Sequence, residues 1–443
     1  MNYKEAAEYM ESLQHYGCVP GLESIRQLCA YLDNPQDKLK FVHIAGTNGK
    51  GSVLAYVSTV LTSAGYRVGR YISPAVTDYR EKFQIDGRMI SKQAFCKYLE
   101  PVKEAAERMK IDGKPHPTPF EVETAVAFLY FLDKKCDIVV LETGMGGALD
   151  ATNIIKTALC VAITSISMDH MAMLGNSLEK IAAQKAGIIK EGACVVSALQ
   201  KPQAAKVIED VAARMNCELR IADVNKASSV KYGLIKQRFS YGRYKNLEIT
   251  MAGAYQIENA VIAVEVIDAL SDKGFKVTLE KLREGLINTK WHGRFEIIGH
   301  KPLFIADGAH NEDAAFKLAE TIRFHFTNRR IIYIMGVLGD KEYDKIIAAT
   351  YKYAEQIITF TPPDNPRALS AYELAGAAKE YHNSVTVADS VQEAVEIAYL
   401  FAGKDKDAVI IAFGSLSYMD RLFDVVEHRD RIRRDSHGKS EEN

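Results

Sequence analysis

The sequence predicts an α/β fold in two parts, and three observations carry that expectation. Runs rich in Val, Ile and Leu alternate with helical patterns through most of the chain, as in mostly parallel sheets covered on both faces. Residues 230–255, "SVKYGLIKQRFSYGRYKNLEITMAGAY" and its neighbours, instead alternate polar and apolar side chains, as short antiparallel strands do. A second strand–helix series then begins near residue 296. The expectation is a large N-terminal domain, a mostly parallel sheet plus a small antiparallel one, followed by a smaller Rossmann-like domain of five or six strands.

The elements follow in order. "KFVHIAG" is a strand, and "GSVLAYVSTVLTSAG" is a helix ending at Gly65. "YRVGRYIS" is a strand, "FEVETAVAFLYFLDKK" a helix, "CDIVVLE" and "ALCVAIT" strands, and "SLEKIAAQKAGIIK" a helix. The later strands are "FEIIG", "LFIADGAHN", "RRIIYIMGVLGDK", "QIITFTPP", "SVTVAD" and "AVIIAFGSL". The joint falls in "NTKWHGRFE", where Gly293 is expected to break a helix. This divides the chain into residues 1–293, 294–430 and a charged tail, 431–443, with too few apolar residues to order itself.

A chain of 443 residues exceeds one ordinary core, and 47% hydrophobic content supplies a core for each domain. The 56 basic and 57 acidic side chains nearly cancel, which argues against a nucleic-acid or membrane-surface binder. Seven scattered cysteines (Cys18, Cys29, Cys96, Cys136, Cys160, Cys194 and Cys217) form no C-x-x-C pair. They are expected to be free thiols in a reducing cytosol. The polar start "MNYKEAAEYMESLQ" lacks the apolar stretch of a signal peptide, and no segment has the length of a membrane span. The expectation is a cytosolic protein.

The loop Gly46, Thr47, Asn48, Gly49, Lys50, Gly51, Ser52 lies between a strand and a helix. Its glycines let backbone N–H groups turn toward an anion, and the following helix offers its positive end to phosphates. Lys50 would neutralise β/γ charge, and the Ser52 hydroxyl suits Mg²⁺. The spacing is shorter than the usual G-x-x-x-x-G-K-[ST], with Gly51 inserted before the hydroxyl. Glu142 closes an apolar strand where a parallel sheet collects its ligands. Alone it reads as a loop charge; after the glycine loop it reads as a Mg²⁺ carboxylate, with Gly144, Gly146 and Gly147 keeping the next turn open. Asp169 and His170 follow a strand, where His170 is either structural or a metal ligand. Ile181, Lys185 and Ile188 share a helical face, so Lys185 is either snorkelling or held inside for chemistry. Asp307, His310 and Asn311 end a strand in a loop, as turn formers or as a site. Arg294 lies in the joint, within reach of a phosphate from the side opposite the glycine loop.

These segments, in order, resemble the folylpolyglutamate synthase/dihydrofolate synthase family, relatives of the Mur peptide ligases. The shared stretches run from about residue 15 to 430 and include "HIAGTNGKGS", "YISPAV", "FEVETAVAF", "LETGMGGALDATN", "MDHMAMLGNSLEKIAAQKAGIIK", "AYQIENA", "HGRFE", "ADGAHN", "GVLGDKE" and "FGSL". The G-K-G-S ending favours the folate branch.

The resemblance implies ATP-dependent joining of L-glutamate to dihydropteroate, a reduced folate or both, through an acyl phosphate. It also implies Mg²⁺ at two sites, no nucleic-acid or membrane partner, and a monomer. By matching positions, Ser52, Ser73, Glu142 and His170 resemble metal ligands, and Lys185 matches a carbamylated lysine. Asn259, Arg294, Asp307 and His310 match nucleotide contacts, and His310 and Ser417 the glutamate side. Lys50, Lys185, His170 and His310 form the expected catalytic set. The chain departs from the family at Ala75, Ala148 and Tyr255, toward the acceptor side. Asp150 is retained at a position linked to dihydropteroate, which favours both activities. The alternatives are an amino-acid ligase for a non-folate acid and an inactive nucleotide-binding relative.

Overall fold

In the computed structural model, residues 1–17 and 21–438 are described; Cys18 and residues 439–443 lie outside them. The strands are β1 (Phe41–Ala45), β2 (Val68–Tyr71), β3 (Phe83–Ile85), β4 (Arg88–Met89), β5 (Ile138–Glu142), β6 (Ala158–Ile163), β7 (Cys194–Ala198), β8 (Glu218–Ala222), β9 (Ser228–Lys231), β10 (Gln237–Tyr241), β11 (Tyr244–Ile249), β12 (Glu296–His300), β13 (Leu303–Asp307), β14 (Ile331–Met335), β15 (Gln356–Thr359), β16 (Val385–Val387) and β17 (Val409–Phe413). They form an eight-stranded sheet, β4-β3-β2-β5-β1-β6-β7-β8, a three-stranded sheet, β11-β10-β9, and a six-stranded sheet, β12-β13-β17-β14-β15-β16.

The first sheet is parallel except for the β3–β4 hairpin, and the last is parallel except for its edge strand β12. Side-chain alternation explains why both faces are dry. Phe41 and Ala45 enter one apolar cluster with Val139 and Leu141, while Val42 and Ile44 enter the other with Ile138 and Val140. The six-stranded sheet repeats the pattern, with Ile305 and Tyr333 on one face and Phe304 and Ile332 on the other.

β1 lies between β5 and β6, with Ile44 opposite Glu142 and Ala45 opposite Ile163. The carboxyl ends of three central strands therefore open at one point, where ligands of open α/β sheets collect. Asp307 and Phe413, paired at the ends of β13 and β17, provide the corresponding edge of the second sheet.

Three expectations need correction. The helix before the joint spans Leu279–Asn288 and stops ahead of Gly293, which instead makes a turn at φ 68°. The Lys185 helix, Leu178–Ala186, ends before Ile188, so only Ile181 and Lys185 share its face. The last helix, Met419–Gly438, runs through most of the tail expected to be disordered. Met419, Leu422 and Val426 are buried along it, and a packed helix extends cheaply through Arg-rich sequence. Cys29, Cys96, Cys136, Cys160, Cys194 and Cys217 are free. No helix among the described residues is long and apolar enough to cross a membrane.

Candidate active site

The glycine loop is shaped by its neighbours. Gly49 has φ 91°, and a side chain there would begin 2.4 Å from Asn259 Oδ1, so both conformation and space require glycine. Thr47 anchors the loop to the segment after β6: its N–H donates to Ser165 O (2.8 Å) and its hydroxyl to Ser167 O (3.1 Å). The helix Lys50–Ser63 that follows has no side-chain cap. Its first N–H groups remain available to an anion.

A single cleft brings the expected residues together. It is lined by Gly46 through Ser52, by Ser73, Glu142, His170 and Lys185 from the first α/β unit, and by Asn259, Arg294, Asp307 and His310. Asp150 and Ser417 are not in that lining. The Asp150 carboxylate accepts from the Met145 and Thr152 N–H groups (2.9 and 3.0 Å) and from the Thr152 hydroxyl (2.5 Å), tying down the glycine-rich turn. Ser417 lies next to the lining residue Leu416 and is hydrogen-bonded to Ser415 Oγ (2.9 Å).

The electrostatics are unusual for side chains within one small space. Burial pushes the Glu142 carboxyl up to about 7, against the opposing charges of Lys50 and Arg294. Burial, then the nearby Lys50 charge, lowers Lys185 to about 7. Its Nζ donates to Gly46 O at 2.7 Å, joining the Leu178–Ala186 helix to the glycine loop. Lys50 is also lowered by burial, and its Nζ donates to the Gly46 and Thr47 carbonyls (3.1 and 3.2 Å). His170 is lowered to about 4, chiefly by burial, and so is neutral at neutral pH. Burial also raises Asp307, whose carboxylate accepts from the Tyr255 hydroxyl and from the Phe295 and Ala309 N–H groups, each at 2.8 Å. Such opposed shifts in a cleft mark a functional site.

Asp169 holds the two α/β units together. Burial would raise its carboxyl, but His310, Lys341 and His170 outweigh this and hold it well below the ordinary range. Lys341 Nζ lies 2.7 Å from Oδ1, and Asn311 Nδ2 donates to Oδ2 at 3.1 Å. Asn311 also exchanges hydrogen bonds with Asn48 of the glycine loop (3.2 and 3.1 Å). His310 donates from Nδ1 to Gly308 O (2.8 Å), leaving Nε2 3.7 Å from Asp169 Oδ2.

Sequence reasoning gave no role to Lys341, Gln256 or Lys317. Gln256 Nε2 donates to Ser52 Oγ (3.3 Å), and Lys317 Nζ pairs with Glu258 (2.6 Å). Only the motif "GVLGDKE" hinted at Lys341. Polar side chains on helices give no local sign of the distant partner they meet.

Serine hydroxyls and a buried carboxylate are hard oxygen donors suited to Mg²⁺. Among the described residues no three His, Cys, Asp or Glu side chains form a metal cluster. Ser52, Ser73, Glu142 and His170 all line the cleft, and the two hydroxyls and the carboxylate are donors of the kind that Mg²⁺ takes beside waters and phosphate oxygens.

Comparison with known proteins agrees with this geometry. Residues 44–267 match the Mur ligase middle domain and residues 293–416 the Mur ligase glutamate ligase domain. The chain is 34% identical over 428 residues to a dihydrofolate synthase/folylpolyglutamate synthase of Bacillus subtilis, covering 95% of this chain and 98% of that one. Its fold superposes on Mycobacterium tuberculosis folylpolyglutamate synthase complexed with ADP and AMPPCP (TM-score 0.88, 30% identity, 95% and 99% coverage). It also superposes on Escherichia coli FolC in complex with DHPP and ADP (TM-score 0.84, 26% identity, 97% and 99% coverage). With its nucleotide loop, its buried acid and lysine, and both Mur ligase domains in place, the chain belongs to the dihydrofolate synthase/folylpolyglutamate synthase family of ATP-dependent ligases.

Proposed function

We propose that the cleft joins L-glutamate to the carboxylate of a pterin or folate, with ATP as the phosphoryl donor. The observation that carries this is the meeting of the glycine loop, Glu142 and Lys185 with Arg294 and His310 in one cleft. Residues 1–293 act as the ATPase domain and 294–430 as the glutamate ligase domain. The working unit in this reading is a monomer.

The free N–H groups at the start of the Lys50–Ser63 helix, together with Lys50, receive the phosphates, and Arg294 approaches from the other domain. The acceptor carboxylate takes the γ-phosphoryl group and ADP leaves, so positioning and charge neutralisation do most of the work. The glutamate amine then attacks the acyl carbon, and the tetrahedral intermediate expels phosphate. His310 and Ser417 belong to the glutamate side, and with Nδ1 bonded to Gly308 O the His310 ring turns Nε2 toward Asp169. Asp169 and its partners hold the domains close enough to keep water from the acyl phosphate. Ser52, Ser73, Glu142 and His170 would hold Mg²⁺ at two sites, which would supply positive charge to the phosphate oxygens. Lys185, roughly half neutral at pH 7, is poised to add CO₂, forming a carbamate and releasing a proton. The carbamate keeps one N–H for Gly46 O and turns a cation into an anion beside Lys50.

The test is phosphate release from ATP, Mg²⁺ and L-glutamate, with dihydropteroate and tetrahydrofolate added separately. Release with both is expected, giving a bifunctional enzyme. Release with neither, from protein that still binds ATP, would transfer the assignment to a ligase for a non-folate acid, with Ala75, Ala148 and Tyr255 marking the changed acceptor side.

A further inference from the structure

A second cavity, of about 360 Å³, lies apart from the cleft and against the joint between the two α/β units. Its wall includes Arg70 of β2, whose strand neighbours Val68 and Ile72 pack into the apolar cluster on the same face. Arg70 is only 7% exposed. Its one described hydrogen bond runs from Nη2 to Thr59 Oγ1 at 2.7 Å, and its Nε is buried without an acceptor. Nη1 sits beside Gly87, where a Cβ would lie 3.9 Å away. Burial lowers this guanidinium to about 10, so it stays charged at neutral pH.

A second buried donor on the same wall, Thr62 Oγ1, also has no partner. Lys290, from the joint, adds another positive charge to the lining. Buried donors without acceptors are costly and rare, and here two of them belong to residues that line one cavity. Two acids also face it; neither hydrogen-bonds Arg70, although the Asp86 charge acts on the guanidinium and opposes its lowering. Glu81 accepts from the Val76 and Thr77 N–H groups (2.8 and 3.2 Å), and Asp86 from the Val68 N–H (2.8 Å).

We propose that this cavity is a second ligand site, for a small carboxylate, separate from the nucleotide cleft. The guanidinium, with only Nη2 engaged, keeps N–H donors of the kind that recognise a carboxylate, and the Thr62 hydroxyl would be a further donor to it. Glu81 and Asp86 disfavour a phosphate dianion and tolerate a monoanion. The occupant would also touch Trp291, which lines the cavity. A side chain on Gly51 would begin 2.8 Å from Trp291 Nε1, so the indole packs directly on the glycine loop.

Trp291 is the only tryptophan in the chain, so its fluorescence reports on this site. Acetate and inorganic phosphate are titrated separately at constant ionic strength, each with and without saturating Mg-ADP. Acetate is expected to give a saturable change in emission under both conditions. Phosphate in the presence of Mg-ADP should be at least about fivefold weaker. Arg70→Gln should raise the acetate midpoint about tenfold or more, and Thr62→Val a few-fold. The proposal is overturned by any of four results: no saturable acetate response, a response abolished by Mg-ADP, a phosphate response as tight as that of acetate, or an unchanged midpoint in Arg70→Gln. If Arg70→Gln does not fold, an unchanged midpoint in Thr62→Val overturns it equally.

Discussion

Lys341 and Asp169 form a buried ion pair between the two α/β units, with Nζ 2.7 Å from Oδ1 and each side chain 8% exposed. Asp169 follows β6, and Lys341 follows β14 of the other sheet. Removing one partner of such a pair strands a charge and costs about 3–5 kcal/mol. Lys341→Met should therefore lower kcat/KM by at least about a hundredfold, mainly by weakening domain closure. The double variant Asp169→Asn/Lys341→Met should lose less than the sum of the two single losses. Strictly additive losses would show that the pair does not couple the domains.

Lys50→Ala should remove nucleotide-dependent phosphate release by at least about a hundredfold, with an unchanged circular dichroism spectrum. Lys50 reaches only the Gly46 and Thr47 carbonyls, so the fold does not depend on it. A fully active variant would refute the nucleotide-loop assignment.

Lys185→Ala should abolish turnover and leave the fold intact. The amine must be neutral to take up CO₂, and burial has lowered it to about 7. Activity should therefore fall below pH 7 and, at a fixed pH in that range, rise with dissolved CO₂. ¹³C NMR with labelled CO₂ should show a carbamate that is absent from the variant. Near-normal turnover of Lys185→Ala would sink this role.

Glu142 couples the site to stability. Its folded-state value is raised from 4.5 to about 7 by burial. Its favourable contribution is thus fully present below pH 4.5 and lost as pH rises through 7. In metal-free protein at pH 8, Glu142→Gln should be more stable than the parent by about 1–3 kcal/mol, while turnover is lost. The stability gap should close toward pH 4.5 in chemical denaturation, and a gap independent of pH would contradict the assignment.

The sequence revealed most of the fold because both main sheets are buried on two faces and their strands read as apolar runs. The β3–β4 hairpin, with strands of three and two residues, is too short to show a pattern. Gly46 to Ser52 and Glu142 were legible because strand ends place them, whatever the partner. Lys341, Gln256 and Lys317 were not assigned, because their roles arise from contacts across 172, 204 and 59 residues of chain. The helical tail was misread because composition says nothing of the packed helix that the tail extends.

Asp150 separates a positioning role from direct contact with substrate. The resemblance links this position to dihydropteroate, yet the carboxylate is buried and accepts three hydrogen bonds from Met145 and Thr152. The Thr152 hydroxyl in turn meets His43 Nε2 at 2.8 Å, deep under β1. Asp150→Ala would leave these donors unsatisfied at about 1–3 kcal/mol each before relaxation. The turn carrying Gly144 and Gly146, which line the cleft, would then loosen. The expected result is a lower melting temperature, with KM values for dihydropteroate and reduced folate rising together. Asp150→Asn, which keeps one acceptor oxygen, should recover part of both. An unchanged melting temperature with a rise in the dihydropteroate KM alone would instead make Asp150 a direct substrate group, and would require the turn to open when substrate binds.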